Sequence, residues 1–127
     1  DRVYAPKKEV VRAAEEAAYP DFPTKKDILG GIGVESEFDP KITTGTSIGL
    51  MQVCYKSHAI APKSLFNVRF NIQKGSQILH DYYISLGRDR TAALMAYNLG
   101  INAYRQGKRR YSYVRRVDSV KKLVSLK

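Results

Sequence analysis

The chain has 127 residues, of which 43% are hydrophobic and 27% are charged, and it carries one cysteine and a formal net charge of +10. This length suits a single domain, 1–127, with one sizeable core, and the composition excludes a disordered chain, an internal disulfide and a four-thiolate zinc site. The longest apolar run, residues 92–97, is far shorter than the ~20 residues that span a bilayer, so no membrane span is predicted.

The first predicted elements are two helices. Apolar residues recur with a helical period over 10–18, with Pro6 in the first turn, and a proline-rich turn follows. Thr24 and Asp27 resemble a capping box, which predicts a second helix over 25–37 that the next proline terminates. The first residue is not methionine and no signal-like apolar region follows it, so loss of a leader and excision from a longer chain both stay open.

Three glycines, Gly30, Gly31 and Gly33, lie inside the second predicted helix, where each costs about 1 kcal/mol relative to alanine. We expect this helix to be the central one, because glycines remove side chains and let neighbouring backbones approach closely. A helix that simply tolerates the cost is the alternative. Gly31→Leu separates the two hypotheses, since close packing predicts a loss of melting temperature and activity.

Two carboxylates end the same helix. Glu35 lies on the apolar face with Ile28 and Ile32, whereas Glu37 points to the opposite face, so the two cannot act as the paired acid and base of an ordinary glycosidase. A glutamate on an apolar face is expected to have a raised pKa and to serve as a general acid. A glutamate paired with one of the 22 basic residues is an equal alternative.

The remaining elements are also mainly helical. A loop or short hairpin is predicted over 41–48 and a short helix around 50–59. Apolar stripes predict helices over 72–86 and 91–98, each closed by a glycine, and an amphipathic helix over 113–124 with Lys and Arg on its outer face. The prediction is a mainly α domain of six or so helices with at most a small β element.

Positive charge is concentrated at the C-terminal end, where residues 108–127 hold eight Lys or Arg and one acid, a net +7. This charge favours a polyanionic partner, and a solvated helix face is the alternative. The histidines, His58 and His80, lack metal-ligand spacing and are interpreted as surface or partly buried residues, and Cys54 as a small core residue. No metal and no cofactor are predicted.

Five short motifs occur in order along the chain. They are Glu35-Ser36-x-Phe38-x-Pro40, Gly49-Leu50-Met51-Gln52, Asn71-Ile72-x-x-Gly75, Ala96-Tyr97-Asn98-x-Gly100 and Tyr113-Val114. Together they resemble the catalytic domain of the soluble lytic transglycosylases, relatives of goose-type lysozyme that cleave peptidoglycan. The resemblance covers residues 24–117 and implies a lysozyme-like, mainly α fold. The chain departs from the family pattern at Thr43 and Thr46 (serine and glycine), Cys54-Tyr55 (Met-Pro) and Asn67-Val68 (Asp-Pro).

The resemblance implies that Glu35 is the catalytic residue, acting first as acid and then as base while a 1,6-anhydro ring closes on the muramic acid. It implies substrate-binding roles for six residues: Ser36, Met51, Gln52, Tyr97, Asn98 and Tyr113, the last within hydrogen-bond reach of the glutamate. Backbone bonding by the serine, core packing by the methionine and simple burial of the first tyrosine are the alternatives.

The resemblance also implies the partners and the location. Peptidoglycan glycan strands are the expected substrate, anionic wall polymers are a further partner through the basic C-terminal helix, and nucleic acid is not the expected partner. The enzyme is expected outside the cytoplasmic membrane, in the periplasm or cell wall, exported or delivered by a virion. A hydrolase of the same fold, and a non-catalytic cell-wall or nucleic-acid binding module, are the rival functions.

Overall fold

The computed structural model describes residues 3–126, in which helices dominate and a small antiparallel sheet is inserted. The elements are α1 (Lys8–Ala17), α2 (Lys25–Ser36), β1 (Thr43–Thr44), β2 (Ser47–Ile48), β3 (Val53–Cys54), a 3₁₀ helix (Pro62–Phe66), α3 (Val68–Ser85), α4 (Arg90–Leu99), α5 (Ile101–Arg105) and α6 (Tyr111–Leu123). The predicted mainly α fold with a small β element is confirmed. Within the described residues, no helix combines the length and apolar character needed to cross a membrane.

The helix α2 lies at the centre of the domain, with eight buried residues among its twelve. Its predicted capping box is confirmed: the Asp27 amide donates to Thr24 Oγ1 at 3.3 Å and the Thr24 amide donates to Asp27 Oδ2 at 3.0 Å. The helix ends at Ser36, one residue earlier than predicted, because Glu37 adopts a left-handed backbone (φ 50°) as the C-cap. The chain therefore leaves α2 directly after Glu35 and Ser36.

Close packing through glycine holds at two of the three positions in α2. A Cβ on Gly30 would lie 2.9 Å from the Val117 carbonyl oxygen of α6, and a Cβ on Gly33 would overlap the side chain of Val120. A Cβ on Gly31 would meet nothing within 4 Å, so the expectation at this position is wrong. Gly30 and Gly33 allow the short distance between α2 and α6, because both face α6. Gly31 does not contribute, because a side chain there would not meet α6.

A buried carboxylate ties the start of α2 to α4 and α6. Asp27 is 3% exposed, and its Oδ1 accepts from Lys121 Nζ at 2.6 Å and from Arg90 Nη2 at 3.1 Å. Burial alone would raise the pKa of Asp27, but the hydrogen bonds from Lys121 and Thr24 outweigh it and lower the pKa. Part of the basic C-terminal segment is thus used inside the fold, since Lys121 neutralises this carboxylate.

The predicted helix around 50–59 is wrong. Gly49 (φ 78°) and Gln52 (φ 50°) adopt left-handed backbone conformations, which interrupt a right-handed helix. The segment instead turns into β3, where Val53 pairs with Ile48 of β2 in antiparallel register. Burial of apolar residues in this turn imitates the pattern of a buried helix, because both structures place several of them in the core.

Smaller differences occur at the other helices. Pro6 precedes α1, which begins at Lys8 rather than including the proline in its first turn. The predicted helix over 72–86 is present as α3, which begins four residues earlier and ends one residue earlier. The predicted helix over 91–98 is present as α4, which is one residue longer at each end, and α5 is not predicted. Gly100 (φ 91°) ends α4 and α5 follows at once.

Candidate active site

A cleft of about 370 Å³ opens between the sheet and the ends of three helices. Its lining residues are Glu35 from α2; Thr44, Ser47, Gln52, Val53, Cys54, Ser57 and His58 from the sheet and the turn after it; Ile78 and Tyr82 from α3; and Tyr97, Asn98, Leu99 and Gly100 from the end of α4. Glu35 is the only Asp or Glu among these described lining residues, and they include no Lys or Arg. The sheet wall is rich in hydroxyl groups, whereas the helical wall is mainly apolar and aromatic, apart from Glu35 and Asn98.

Glu35 occupies the last turn of α2, half-buried at the cleft. The Tyr113 hydroxyl on α6 donates to Glu35 Oε2 at 2.7 Å. Burial raises the pKa of Glu35, and the Tyr113 hydrogen bond and the Arg116 charge oppose this rise without cancelling it. Among residues 3–126, no Lys or Arg forms an ion pair with this carboxylate. Of the two alternatives, the structure therefore favours a glutamate whose pKa is raised by burial over one that is paired with a basic residue.

Tyr97 lines the cleft, and the charge of Glu35 acts on it. Its hydroxyl donates to the Met51 carbonyl oxygen at 2.6 Å, which joins α4 to the turn between β2 and β3. Burial, and then the charge of Glu35, hold the pKa of Tyr97 well above its usual range, so the hydroxyl keeps its proton and remains a donor. The tyrosine ring therefore contributes an apolar face to the cleft, while its hydroxyl fixes the turn.

The orientation of the Gln52 amide follows from its neighbours. Gln52 Nε2 donates to the Gly49 carbonyl oxygen at 3.0 Å and to the Ile42 carbonyl oxygen at 3.2 Å. Two carbonyl acceptors at one end of the amide require its nitrogen there, since an oxygen would meet two oxygens. Both N–H groups are thereby used, and Oε1 is left as the side-chain acceptor of this lining residue.

The family model described as the Transglycosylase SLT domain matches residues 24–117. The chain belongs to the SLT transglycosylase family. The match starts at the capping residue of α2 and ends at Val117 on α6, so it contains every lining residue of the cleft and Tyr113. No curated protein matches the sequence.

Solved structures of SLT enzymes share the fold of this domain. The crystal structure of the 70 kDa soluble lytic transglycosylase from Escherichia coli is 20% identical over 88% of this chain, with a TM-score of 0.65. A complex of the 70-kDa soluble lytic transglycosylase with bulgecin A is 20% identical over 86%, with a TM-score of 0.64. The lysozyme-like fold is thereby confirmed. The domain spans 22% and 19% of those longer chains.

Two of the predicted site residues of the SLT domain do not reach the cleft. Ser36 is 3% exposed, and its Oγ lies 2.8 Å from the Leu50 carbonyl oxygen and 3.1 Å from that of Ile32. Met51 is 2% exposed, with its Sδ 3.7 Å from Ser76 Oγ. These contacts match the alternatives left open by the sequence: Ser36 ties the end of α2 to the turn, and Met51 packs in the core.

Four predicted residues line the cleft and one lies behind it. Glu35, Gln52, Tyr97 and Asn98 are lining residues, and Tyr113, 3% exposed, contacts the glutamate from α6. Asn98 Oδ1 accepts from Arg110 Nη1 at 2.7 Å, which leaves the Asn98 amide nitrogen as the group free to donate toward a ligand. The motif residues thus converge on one cleft from α2, the sheet, α4 and α6.

Cys54 was predicted as a small core residue, and this is corrected, because it is half-buried and lines the cleft. Its Sγ lies 3.1 Å from Ser57 Oγ and 3.3 Å from Thr46 Oγ1. Burial raises the pKa of the thiol, but these hydroxyls and nearby backbone amides outweigh it and lower the pKa to about 7. Cys54 is one of the positions at which the chain departs from the family pattern. This departure is the sequence signal that this wall of the cleft differs from that of other family members.

Other lining residues were missed by sequence reasoning. His58 is partly buried, as interpreted, but it faces the cleft, and burial lowers its pKa so that the ring is neutral at pH 7. The sequence pattern places Ile78 and Tyr82 only on the apolar stripe of the predicted helix over 72–86, yet both line the cleft. One face of a helix can serve both the core and a cleft, and the stripe alone does not distinguish the two.

Proposed function

We propose that this SLT domain is a peptidoglycan lytic transglycosylase, which cleaves the β-1,4 bond between N-acetylmuramic acid and N-acetylglucosamine and forms 1,6-anhydro-N-acetylmuramic acid. The observation that carries the proposal is the solitary acid: Glu35 is the only Asp or Glu among the described residues of the cleft, and burial raises its pKa. Membership of the SLT family, and the fold shared with a soluble lytic transglycosylase, support the same class of reaction.

In the proposed first step, protonated Glu35 donates its proton to the glycosidic oxygen as the bond from C1 of the muramic acid to that oxygen breaks. The oxygen of the substrate's own 2-acetamido group stabilises the positive charge that develops at C1. In the second step, ionised Glu35 removes the proton of the C6 hydroxyl while its oxygen bonds to C1. The ring closes and Glu35 is protonated again, so neither a water molecule nor a second carboxylate is required.

The hydrogen bonds around Glu35 suit both halves of this cycle. Tyr113 binds Oε2, so Oε1 is the oxygen that the described residues leave without a hydrogen bond and the one proposed to exchange the proton. A tyrosine hydroxyl donating to a carboxylate stabilises the ionised form, which is needed between the two steps. Gln52 Oε1 is proposed to accept from an N–H or hydroxyl of the sugar, and the amide nitrogen of Asn98 to donate to one.

The test is digestion of purified peptidoglycan by the wild-type protein and by Glu35→Gln, followed by mass measurement of the fragments. A lytic transglycosylase leaves anhydro ends that are one water lighter than reducing ends. We expect only anhydro ends from the wild type, and a loss of at least about 100-fold in rate for Glu35→Gln with its fold retained. Fragments with reducing ends would instead identify a hydrolase of the same fold.

The proposed substrate also fixes the proposed location, because peptidoglycan lies outside the cytoplasmic membrane, in the periplasm or cell wall. Anionic wall polymers are proposed as a further partner of the basic C-terminal helix α6, on which Arg115, Arg116 and Lys122 are exposed. A nucleic-acid binder would lose affinity steeply with salt and would not respond to Glu35→Gln. The digest therefore also separates an enzyme from a binding module.

A further inference from the structure

Positive charge lies at one edge of the cleft and not in its interior. The described lining residues include no Lys or Arg, and the one histidine has a lowered pKa because of burial. Immediately beyond the α4 end of the lining, residues 101–110 form α5 and a loop that carries four Lys or Arg, all exposed. Two of them, Arg105 and Arg110, contact or influence residues of the cleft.

Arg110 stands at the mouth of the cleft on an anchored backbone. Its amide N–H lies 3.2 Å from Met95 Sδ, and its Nη1 donates to Asn98 Oδ1 at 2.7 Å. Asn98 is itself a lining residue. A guanidinium has five N–H donors in one plane, so most of them remain available after the bond to Asn98. The side chain therefore presents a fixed, charged donor group beside the cleft.

Arg105 ends α5 on the same side of the cleft. Helix α5 follows directly on Gly100, which is a lining residue of the cleft, and Arg105 is the last of its five residues. In agreement with this position, the Arg105 charge opposes the rise that burial causes in the pKa of the lining residue Tyr82. Among residues 3–126, neither Arg105 nor Arg110 forms an ion pair with a carboxylate. The neighbouring Arg109 differs, because it folds over the Tyr104 ring at 3.7 Å and donates to backbone carbonyls.

We infer that Arg105 and Arg110 form a cationic rim that binds the carboxylates of the peptide stems on the muramic acid residues. The inference rests on the proposed function. The sugar rings of the strand are uncharged and suit the charge-poor interior, whereas the stem carboxylates project from the strand and reach the edge of the cleft. Arginine suits this role, because its planar fork matches a carboxylate in a bidentate hydrogen bond.

The test uses soluble glycan strands whose stem carboxylates are either free or converted to neutral methylamides. Cleavage by the wild type is compared with that by Arg105→Gln, Arg110→Gln and the double variant at one low salt concentration. We expect the wild type to have a higher kcat/KM on free strands, and each substitution to reduce this preference about threefold, as is typical of exposed ion pairs. The double variant should lose the contributions of both arginines, about tenfold in all, and keep only the preference that comes from the net positive charge of the rest of the protein.

A control variant and a binding measurement separate the possible failures. Arg12→Gln removes an exposed cation of α1, which is not at the cleft, and should leave the preference unchanged. The dissociation constants of Glu35→Gln for the two strands, with and without the rim substitutions, test the rim even if no cleavage occurs. Failure of the wild type to release anhydro products would overturn the proposed function alone.

Two results would overturn the rim. One is equal affinity of Glu35→Gln for free and methylamide strands. The other is an equal loss of kcat/KM on both strands in Arg110→Gln, which would mean that the arginine acts only by positioning Asn98 through the 2.7 Å hydrogen bond. The parallel variant Arg105→Gln keeps that bond, so a loss of preference in this variant supports a charge effect.

Discussion

The carboxyl of Glu35 is held between opposing influences. Burial raises its pKa, while the Tyr113 hydrogen bond favours the ionised form. A group that must first give a proton and then take one works best when neither form is strongly preferred near the working pH. Burial favours the protonated form that the proposed first step needs, and the Tyr113 hydrogen bond favours the ionised form that the proposed second step needs.

Substitution of Tyr113 by phenylalanine is expected to shift the pH dependence of the reaction. Loss of the hydroxyl removes the donor to Glu35 Oε2, so the pKa of Glu35 should rise further. The proton needed in the first step is then retained to higher pH, and the alkaline limb of the kcat/KM profile should move upward. Profiles measured by release of anhydro products check this.

The matched control for this variant is Tyr111→Phe on the same helix, since Tyr111 is 54% exposed. It should leave the alkaline limb in place. An alkaline limb that stays fixed, or that moves to lower pH, in Tyr113→Phe would show that the hydrogen bond does not set the ionisation of Glu35. Thermal unfolding of both variants shows whether a change in fold contributes.

At the scale of elements, α2 is predictable because its signals are local, whereas the turn between β2 and β3 is not, because long-range hydrogen bonds hold it. The capping box and the apolar face of α2 lie within a few residues of each other in sequence. The turn over 49–52 is held by a distant side chain, because Asn71 Oδ1 accepts from the Met51 amide and Asn71 Nδ2 donates to the Ile48 carbonyl oxygen. No local pattern encodes such a contact across about twenty residues.

The same limit applies to the candidate site. Motif resemblance selected Glu35, Gln52, Tyr97 and Asn98, which share the cleft, but it did not indicate that Met51 faces the core. The direction of a side chain in a turn depends on the backbone conformation of that turn. The left-handed conformation of Gln52 reverses the chain there, and neither periodicity nor composition predicts it.

Two neighbouring glycines of α2 should respond oppositely to alanine. Gly31→Ala should stabilise the protein by about 1 kcal/mol, because its Cβ meets nothing within 4 Å and alanine favours a helix. Gly30→Ala should destabilise it by about 1–3 kcal/mol, because its Cβ would lie 2.5 Å from Lys121 Cγ and 2.9 Å from the Val117 carbonyl oxygen. Urea unfolding of both variants measures the free energies.

The pair contains its own control, since both substitutions add one methyl group to adjacent positions of one helix. Equal destabilisation by Gly30→Ala and Gly31→Ala would mean that this part of α2 tolerates no side chain at either position. The short distance to α6 would then not be the reason for glycine at position 30. Activity adds a second readout, because α6 carries Tyr113. Displacement of α6 by Gly30→Ala should lower activity as well as stability.

Over the whole molecule, the basic residues that stabilise the fold differ from those that are exposed and could attract a polyanion. Lys121 binds the buried Asp27, and Arg109 stacks on Tyr104. The remaining exposed cations contribute to the net charge of +10, whereas the cleft interior is almost free of charge. Under the proposed function, attraction to a polyanionic wall and recognition of the sugar rings would therefore depend on different parts of the surface.

This separation predicts a salt effect that depends on the substrate. Between 0.1 M and 1 M NaCl the screening length falls from about 10 Å to about 3 Å, so attraction to intact peptidoglycan should weaken and kcat/KM should fall by about tenfold or more. On the neutral methylamide strands the change should stay within about twofold. The Arg105→Gln, Arg110→Gln double variant should keep most of the effect on intact peptidoglycan, because it removes only two of 22 Lys and Arg residues. An equal fall on both substrates would place the salt effect in the catalytic step or in the stability of the fold, and thermal unfolding at both salt concentrations distinguishes these two causes.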